Sequence, residues 1–154
     1  MSEINKNNIN TLFVDDVKDF FKKKRRQDID FGLGNELELF EDIKIKFNDM
    51  TITKLTEFDP FDFIGENKLI ELKTRKNTSN YYPTTMIGMN KIDYCKTSNK
   101  DIYFIFKFTD KIMYCQFNNE DFDKFEKKQM GRNDRGKKEQ SLYCLIPIDY
   151  LTDF

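Results

Sequence analysis

The run FDPFDFIGENKLIELKT, residues 58–74, constrains this chain more than any other stretch. Apolar FDFI and LIEL flank a turn-prone GENK, the pattern of a β-hairpin. A four-residue loop from Gly65 to Lys68 pairs Ile64 with Leu69, Phe63 with Ile70 and Asp62 with Glu71. Strand side chains alternate between faces, so Asp62, Ile64, Leu69, Glu71 and Lys73 share one face. Phe61, Phe63, Ile70 and Leu72 share the other. Two carboxylates directly opposite across a strand pair lie roughly 5 Å apart and repel. The hairpin therefore predicts something cationic between Asp62 and Glu71.

At 154 residues the chain is sized for one domain, with residues 1–10 expected as a disordered tail and 11–154 as the domain itself. Its 16 phenylalanines and 7 tyrosines supply core area that a 38% apolar content alone would not. A net charge of −1 speaks against retention on nucleic acid by bulk charge, so any such binding must come from local patches. Cys95, Cys115 and Cys144 are unevenly spaced with no CxxC pair, which predicts reduced thiols in an intracellular, cytoplasmic setting and no zinc site. No apolar run approaches the ~20 residues that span a bilayer, and the polar start MSEINKNNIN has no signal-peptide core. The chain contains no histidine. Ser-His-Asp hydrolysis, HEXXH peptidases, His-ligated metal nucleases and His acid–base catalysis are thereby excluded. Catalysis would have to run on carboxylates, lysine, tyrosine or cysteine.

Along the chain, TLFVDDVKDFFKKK predicts an amphipathic helix with Phe13, Val17, Phe20 and Phe21 on one face, running into the basic stretch Lys22 to Arg26. RQDIDFGLGN reads as a linker, and NELELFEDIKIKF as a second helix with Leu39, Phe40, Ile43 and Phe47 on its apolar stripe. TITKL is a short strand, TRKNTSNYYPTT a polar loop and MIGMNKIDYCK a helix or helical turn. DIYFIFKF and KIMYCQF are strands, Asn119 caps a short helix, MGRNDRGKKEQ is a basic loop and SLYCLIPI a last strand before a terminal turn. The order of elements predicts an α/β chain with a mixed central sheet flanked by helices.

Glu36 falls about 20° from Ile43 around the second helix, inside the apolar stripe, when residues advance 100° apiece. A glutamate there needs a partner, or else sits in a solvated first turn favoured by the helix dipole. Asp62 and Glu71 offer oxygen ligands of the kind that hold Mg²⁺ or Mn²⁺. Lys73, on the same face, can polarise an attacking water or stabilise charge on a phosphorane. The plainer alternative is a surface hairpin with an ordinary Glu-Lys network.

The run Asp62 … Glu71-Leu72-Lys73, with Glu36 on a preceding helix, resembles the PD-(D/E)XK nuclease superfamily. Gly32 and Gly34 ahead of Glu36, and apolar residues three, four and seven positions after it, are similar to the arrangement in archaeal Holliday-junction resolvases. The likeness covers roughly residues 32–75; one departure is that Pro60 stands two positions before Asp62 rather than next to it. The resemblance implies a restriction-endonuclease-like αβββαβ core and metal-dependent phosphodiester hydrolysis. It implies that Asp62, Glu71 and the Leu72 carbonyl hold the metal, that Lys73 orients or activates water, and that Glu36 serves a second metal or a metal-bound water. Asp59 is the substitute for Asp62 should the hairpin register differ.

Nucleic-acid contacts are expected from Arg75, Lys76, Tyr82, Lys91, Arg132 and Arg135, each weighed against an ordinary solvated face. The expected function is a metal-dependent endonuclease on DNA, with RNA left open, structure-selective rather than sequence-reading and in keeping with a homodimer. The Asn/Lys-rich start and the lack of accessory domains suit a phage or large-virus genome. The alternative is a non-catalytic nucleic-acid-binding or regulatory protein on the same fold.

Overall fold

A computed structural model describes residues 34–132 and 139–154. The expected tail 1–10, the helix at 11–24, the basic run Lys22 to Arg26 and Arg135 lie outside the described residues. The chain divides into two compact units, Met1–Leu39 and Phe40–Phe154. What is described of the first is the opening of helix α1, residues 34–46, which carries Glu36. Everything below concerns the second.

Strands β1 (Thr53–Lys54), β2 (Phe63–Ile64), β3 (Lys68–Thr74), β5 (Asp101–Lys107), β6 (Ile112–Gln116) and β9 (Thr152–Asp153) form one sheet in the order β1-β2-β3-β5-β6-β9. β3 and β5 run parallel, and the other neighbours pair antiparallel. The segment between them supplies the crossover that parallel pairing demands: strand β4 (Thr84–Gly88) followed by helix α2 (Met89–Thr97). β4 joins a second, three-stranded antiparallel sheet with β8 (Glu139–Pro147) and β7 (Lys127–Arg132), in the order β4-β8-β7. Helix α3 (Asn119–Lys124) links the two regions.

The predicted register holds for Phe63 opposite Ile70 and Ile64 opposite Leu69, but the ladder ends there: Asp62 lies in the bend before β2 with its amide on the Ile70 carbonyl, and Phe61, expected on the face of Phe63, packs into the core with Leu69. β3 and β5 are apolar on both faces, as befits central strands covered on both sides. On one side of the six-stranded sheet Phe40 stacks on Phe63 at 5.8 Å, and Phe47, just past the end of α1, packs against Tyr103 at 4.5 Å. The other side faces a core in which Leu69, Phe104 and Phe106 meet Ile87 and Cys144 of the second sheet, Ile92 of α2 and Phe122 of α3.

Three further expectations shift. MIGMNKIDYCK is a strand as far as Gly88 before it becomes α2, because Thr85 and Ile87 alternate into the core against Ile146 and Cys144. The first three residues of the expected basic loop, Met130 to Arg132, belong to strand β7, and its last two, Glu139 and Gln140, to β8. The cap of α3 is Asn118 rather than Asn119, its Oδ1 accepting the Asp121 amide at 3.0 Å.

Candidate active site

β3 carries Glu71 on the face turned toward α2, in register with Phe104 of β5. The Glu71 side chain is 2% exposed. Its Oε1 lies 2.7 Å from Lys73 Nζ, and its Oε2 lies 2.8 Å from Lys91 Nζ. Glu71 thus meets a pair of ammonium groups. One comes from two residues along the same strand face and one from the crossover helix. Lys91 is itself held over the Phe61 ring, 4.9 Å from its centre.

Asp62 approaches from the bend just ahead of β2. Its amide donates to the Ile70 carbonyl at 3.1 Å, and its Oδ2 accepts the Leu72 amide at 2.7 Å. The carboxylate is thereby fixed to the backbone one residue beyond Glu71 and close enough to raise its proton affinity. Burial pushes the Glu71 carboxyl above the ordinary glutamate range; Lys73 opposes this, Asp62 reinforces it, and Lys91 opposes it again. A carboxylate removed from water beside a second carboxylate persists only with compensating positive charge, and two lysines provide it.

This donor set fits a hard divalent cation. The Asp62 and Glu71 carboxylates are oxygen donors, and Mg²⁺ is held by one or two carboxylates with waters completing its shell. Among the described residues no group of three or more His, Cys, Asp or Glu side chains is gathered closely enough to hold a metal alone. A cation here would complete its coordination from backbone, water or substrate oxygens. Asp59 is not part of the site: its Oδ2 accepts the Thr56 amide and hydroxyl, each at 2.8 Å, and it lies exposed in a turn.

Of the expected nucleic-acid contacts, Arg75 is turned inward. Its Nη2 donates to the Met86 carbonyl at 2.6 Å, its Nε reaches Thr85 Oγ1 at 3.3 Å, and its guanidinium lies 5.9 Å over Phe106. Lys76 and Tyr82 are exposed, with Tyr82 set edge-on to Tyr81 at 4.6 Å. Arg132 closes β7. Beside Lys73 and Lys91 opens a cleft of about 790 Å³, whose far wall is the second sheet, with Met130 and Tyr143 among its lining. Sequence reasoning missed that wall. The signal lay in SLYCLIPI, where buried Cys144 and Ile146 leave Tyr143 on the opposite face.

A carboxylate in the bend leading into one strand, E-x-K on that strand's antiparallel neighbour and a mixed sheet flanked by helices are in keeping with the PD-(D/E)XK nuclease class. The chain belongs to the family described as "Phage putative PDDEXK endonuclease", whose model matches residues 25–153. No curated protein and no solved structure matches it. Among the described residues no helix is long and apolar enough to cross a membrane.

Proposed function

We infer that the chain is a divalent-metal-dependent endonuclease that hydrolyses DNA phosphodiester bonds, encoded by a phage. The observation that carries this reading is the buried Glu71 carboxylate bridged by Lys73 and Lys91 and flanked by Asp62, in a chain of an endonuclease family. A structural hairpin has no use for a desolvated carboxylate beside a second one.

In this reading Asp62, Glu71 and the Leu72 carbonyl hold Mg²⁺ or Mn²⁺, which when bound supplies Lewis-acid polarisation of the phosphate and acidifies water. Lys73 orients the attacking water and offsets the negative charge that grows on the phosphorus oxygens. Lys91 keeps Glu71 ionised and in place, acting as a positioning residue. Glu36 is assigned to a second metal or a metal-bound water on the motif alone. Lys76, Tyr82, Arg132 and Arg135 are assigned to substrate, and two copies of the chain would cut two strands.

The test is cleavage of branched, duplex and single-stranded DNA with Mg²⁺ or Mn²⁺ by the wild type, Glu71→Ala and Lys73→Ala. Metal-dependent cutting lost in both variants supports the reading. Cutting that survives both removes the site assignment, and a Lys73→Ala chain that still binds DNA separates a catalytic role from a binding one.

A further inference from the structure

The outer face of the three-stranded sheet has no assigned role, yet it forms one wall of the cleft that opens at Lys73 and Lys91. β8 alternates: Cys144 and Ile146 are fully buried, and Tyr143 points the other way. Register sets Tyr143 between Gly88 of β4 and Lys128 of β7, and sets Ser141 beside Met130. Gly88 has no side chain to cover the tyrosine, and a Cβ there would come within 2.7 Å of the Asn90 side chain. The wall is thus an aromatic ring and thioethers rising above small residues.

The cations on the opposite side are already engaged. Lys73 and Lys91 hold Glu71, Arg75 holds Thr85 and the Met86 carbonyl, and Asp93 adds a negative charge to the lining. Duplex DNA is held chiefly through its phosphates by lysine and arginine. Here Lys73, Lys91 and Arg75 are each committed to a protein acceptor, and Lys128, opposite Tyr143 on β7, is the lysine beside the aromatic wall. The cleft offers instead a surface for the face of a base, which only an unpaired base exposes. Its volume is about 790 Å³, and it is open on one side, as a groove for a strand must be.

We propose that this cleft takes an unpaired nucleic-acid strand, with a base laid against Tyr143 and Met130 and its phosphate directed toward Lys73. The proposal rests on the nuclease reading and narrows its substrate to single-stranded segments: free strands, flaps or the unpaired arms of branched molecules.

The experiment is fluorescence anisotropy of the full chain in EDTA with labelled single-stranded DNA, single-stranded RNA and duplex DNA, alongside cleavage of each with Mn²⁺. Single strands should bind at least tenfold more tightly than duplex, and the two single-stranded arms identify the sugar preferred. Tyr143→Leu should weaken single-strand binding by roughly 5- to 100-fold, the range of one lost base–aromatic stack, while Tyr143→Phe retains it. Should Tyr143→Leu fail to fold, photo-crosslinking of a bromouracil-containing strand to the wild type replaces it. A crosslink at Tyr143 or Met130 supports the cleft, and crosslinks confined to Tyr81 and Tyr82 overturn it. Duplex bound as tightly as single strand overturns the proposal even if Lys73→Ala abolishes cutting, a result that leaves the nuclease reading intact. Single-strand binding that depends on Tyr143 without any cleavage overturns the nuclease reading and keeps the cleft.

Discussion

Lys73 Nζ stands 2.7 Å from Glu71 Oε1, and the two side chains leave the same face of one strand two residues apart. That spacing is what E-x-K encodes: strand alternation delivers the acid and the ammonium to one point without any further element. Lys91 then takes the other oxygen from a helix 20 positions away in sequence.

Replacing either member of the E-x-K pair should remove catalysis while sparing the fold. Glu71→Gln and Lys73→Met are each expected to lower metal-dependent cleavage by about 10²- to 10³-fold, the usual loss on deleting one group that stabilises developing charge. Glu71→Gln should also abolish any rise in melting temperature produced by Mn²⁺. Cleavage rates and thermal unfolding with and without metal check both.

Lys91→Met leaves Glu71 with a single counter-ion in a desolvated place. An expected loss of about 2 kcal/mol follows from an under-satisfied buried charged group. In the Lys91→Met/Glu71→Gln double variant the loss should fall below the sum of the two single changes, because the carboxylate that needs Lys91 is gone. Urea unfolding of the four proteins measures it.

All three cysteines are free and buried. Burial pushes the Cys95 and Cys115 thiols up to about 12 and raises Cys144 as well. Thiolate, the reactive form, is then scarce at pH 8. The native chain should resist a thiol reagent at that pH, and all three thiols should react once it is unfolded.

Asp110 fastens the loop that carries Tyr81 and Tyr82. Its Oδ1 accepts the Ser79 amide at 2.8 Å and its Oδ2 the Ser79 hydroxyl at 2.7 Å, and these bonds hold its carboxyl below the ordinary aspartate range. A lowered folded-state value means a stabilising contribution present above the unfolded pKa, near 3.8, and lost as pH falls through the lower folded value. Amide exchange at Ser79 should therefore be slow at pH 6 and faster in Asp110→Asn. The stability gap between the two proteins should close as pH drops below the ordinary aspartate value.

Phe122 is fully buried, and its ring lies between 4.9 and 5.9 Å from those of Phe104, Phe117, Phe125 and Tyr150. Phe122→Ala is expected to cost about 3–5 kcal/mol in denaturant unfolding, the usual result of emptying a well-packed aromatic site.

The hairpin was legible because its information is local. Alternation and a turn signal place Asp62, Glu71 and Lys73 on one face, and Phe63 and Ile70 take up that register. The second sheet was not legible because its pairing is distant and its composition misleads. β7 reads KKQMGR, which by itself resembles a solvated basic loop, and becomes a strand only by pairing with residues 139–144. β4 is five residues ending in Gly88 directly against a helix, so its alternation is too short to stand apart from helical periodicity. The inward turn of Arg75 likewise depends on a carbonyl of β4 that no local pattern announces.

The parallel pairing of β3 with β5 also orders events in time. Glu71 and Lys73 are synthesised before their neighbour on one side, Asp101–Lys107, and Lys91 comes between them in the chain. Contacts of such separation close late, after the loop entropy of the crossover has been overcome. A chain ending before residue 101 holds the motif without β5 beside it, so the Glu71–Lys73–Lys91 cluster gains its packed setting only once the crossover is made and the sheet has closed.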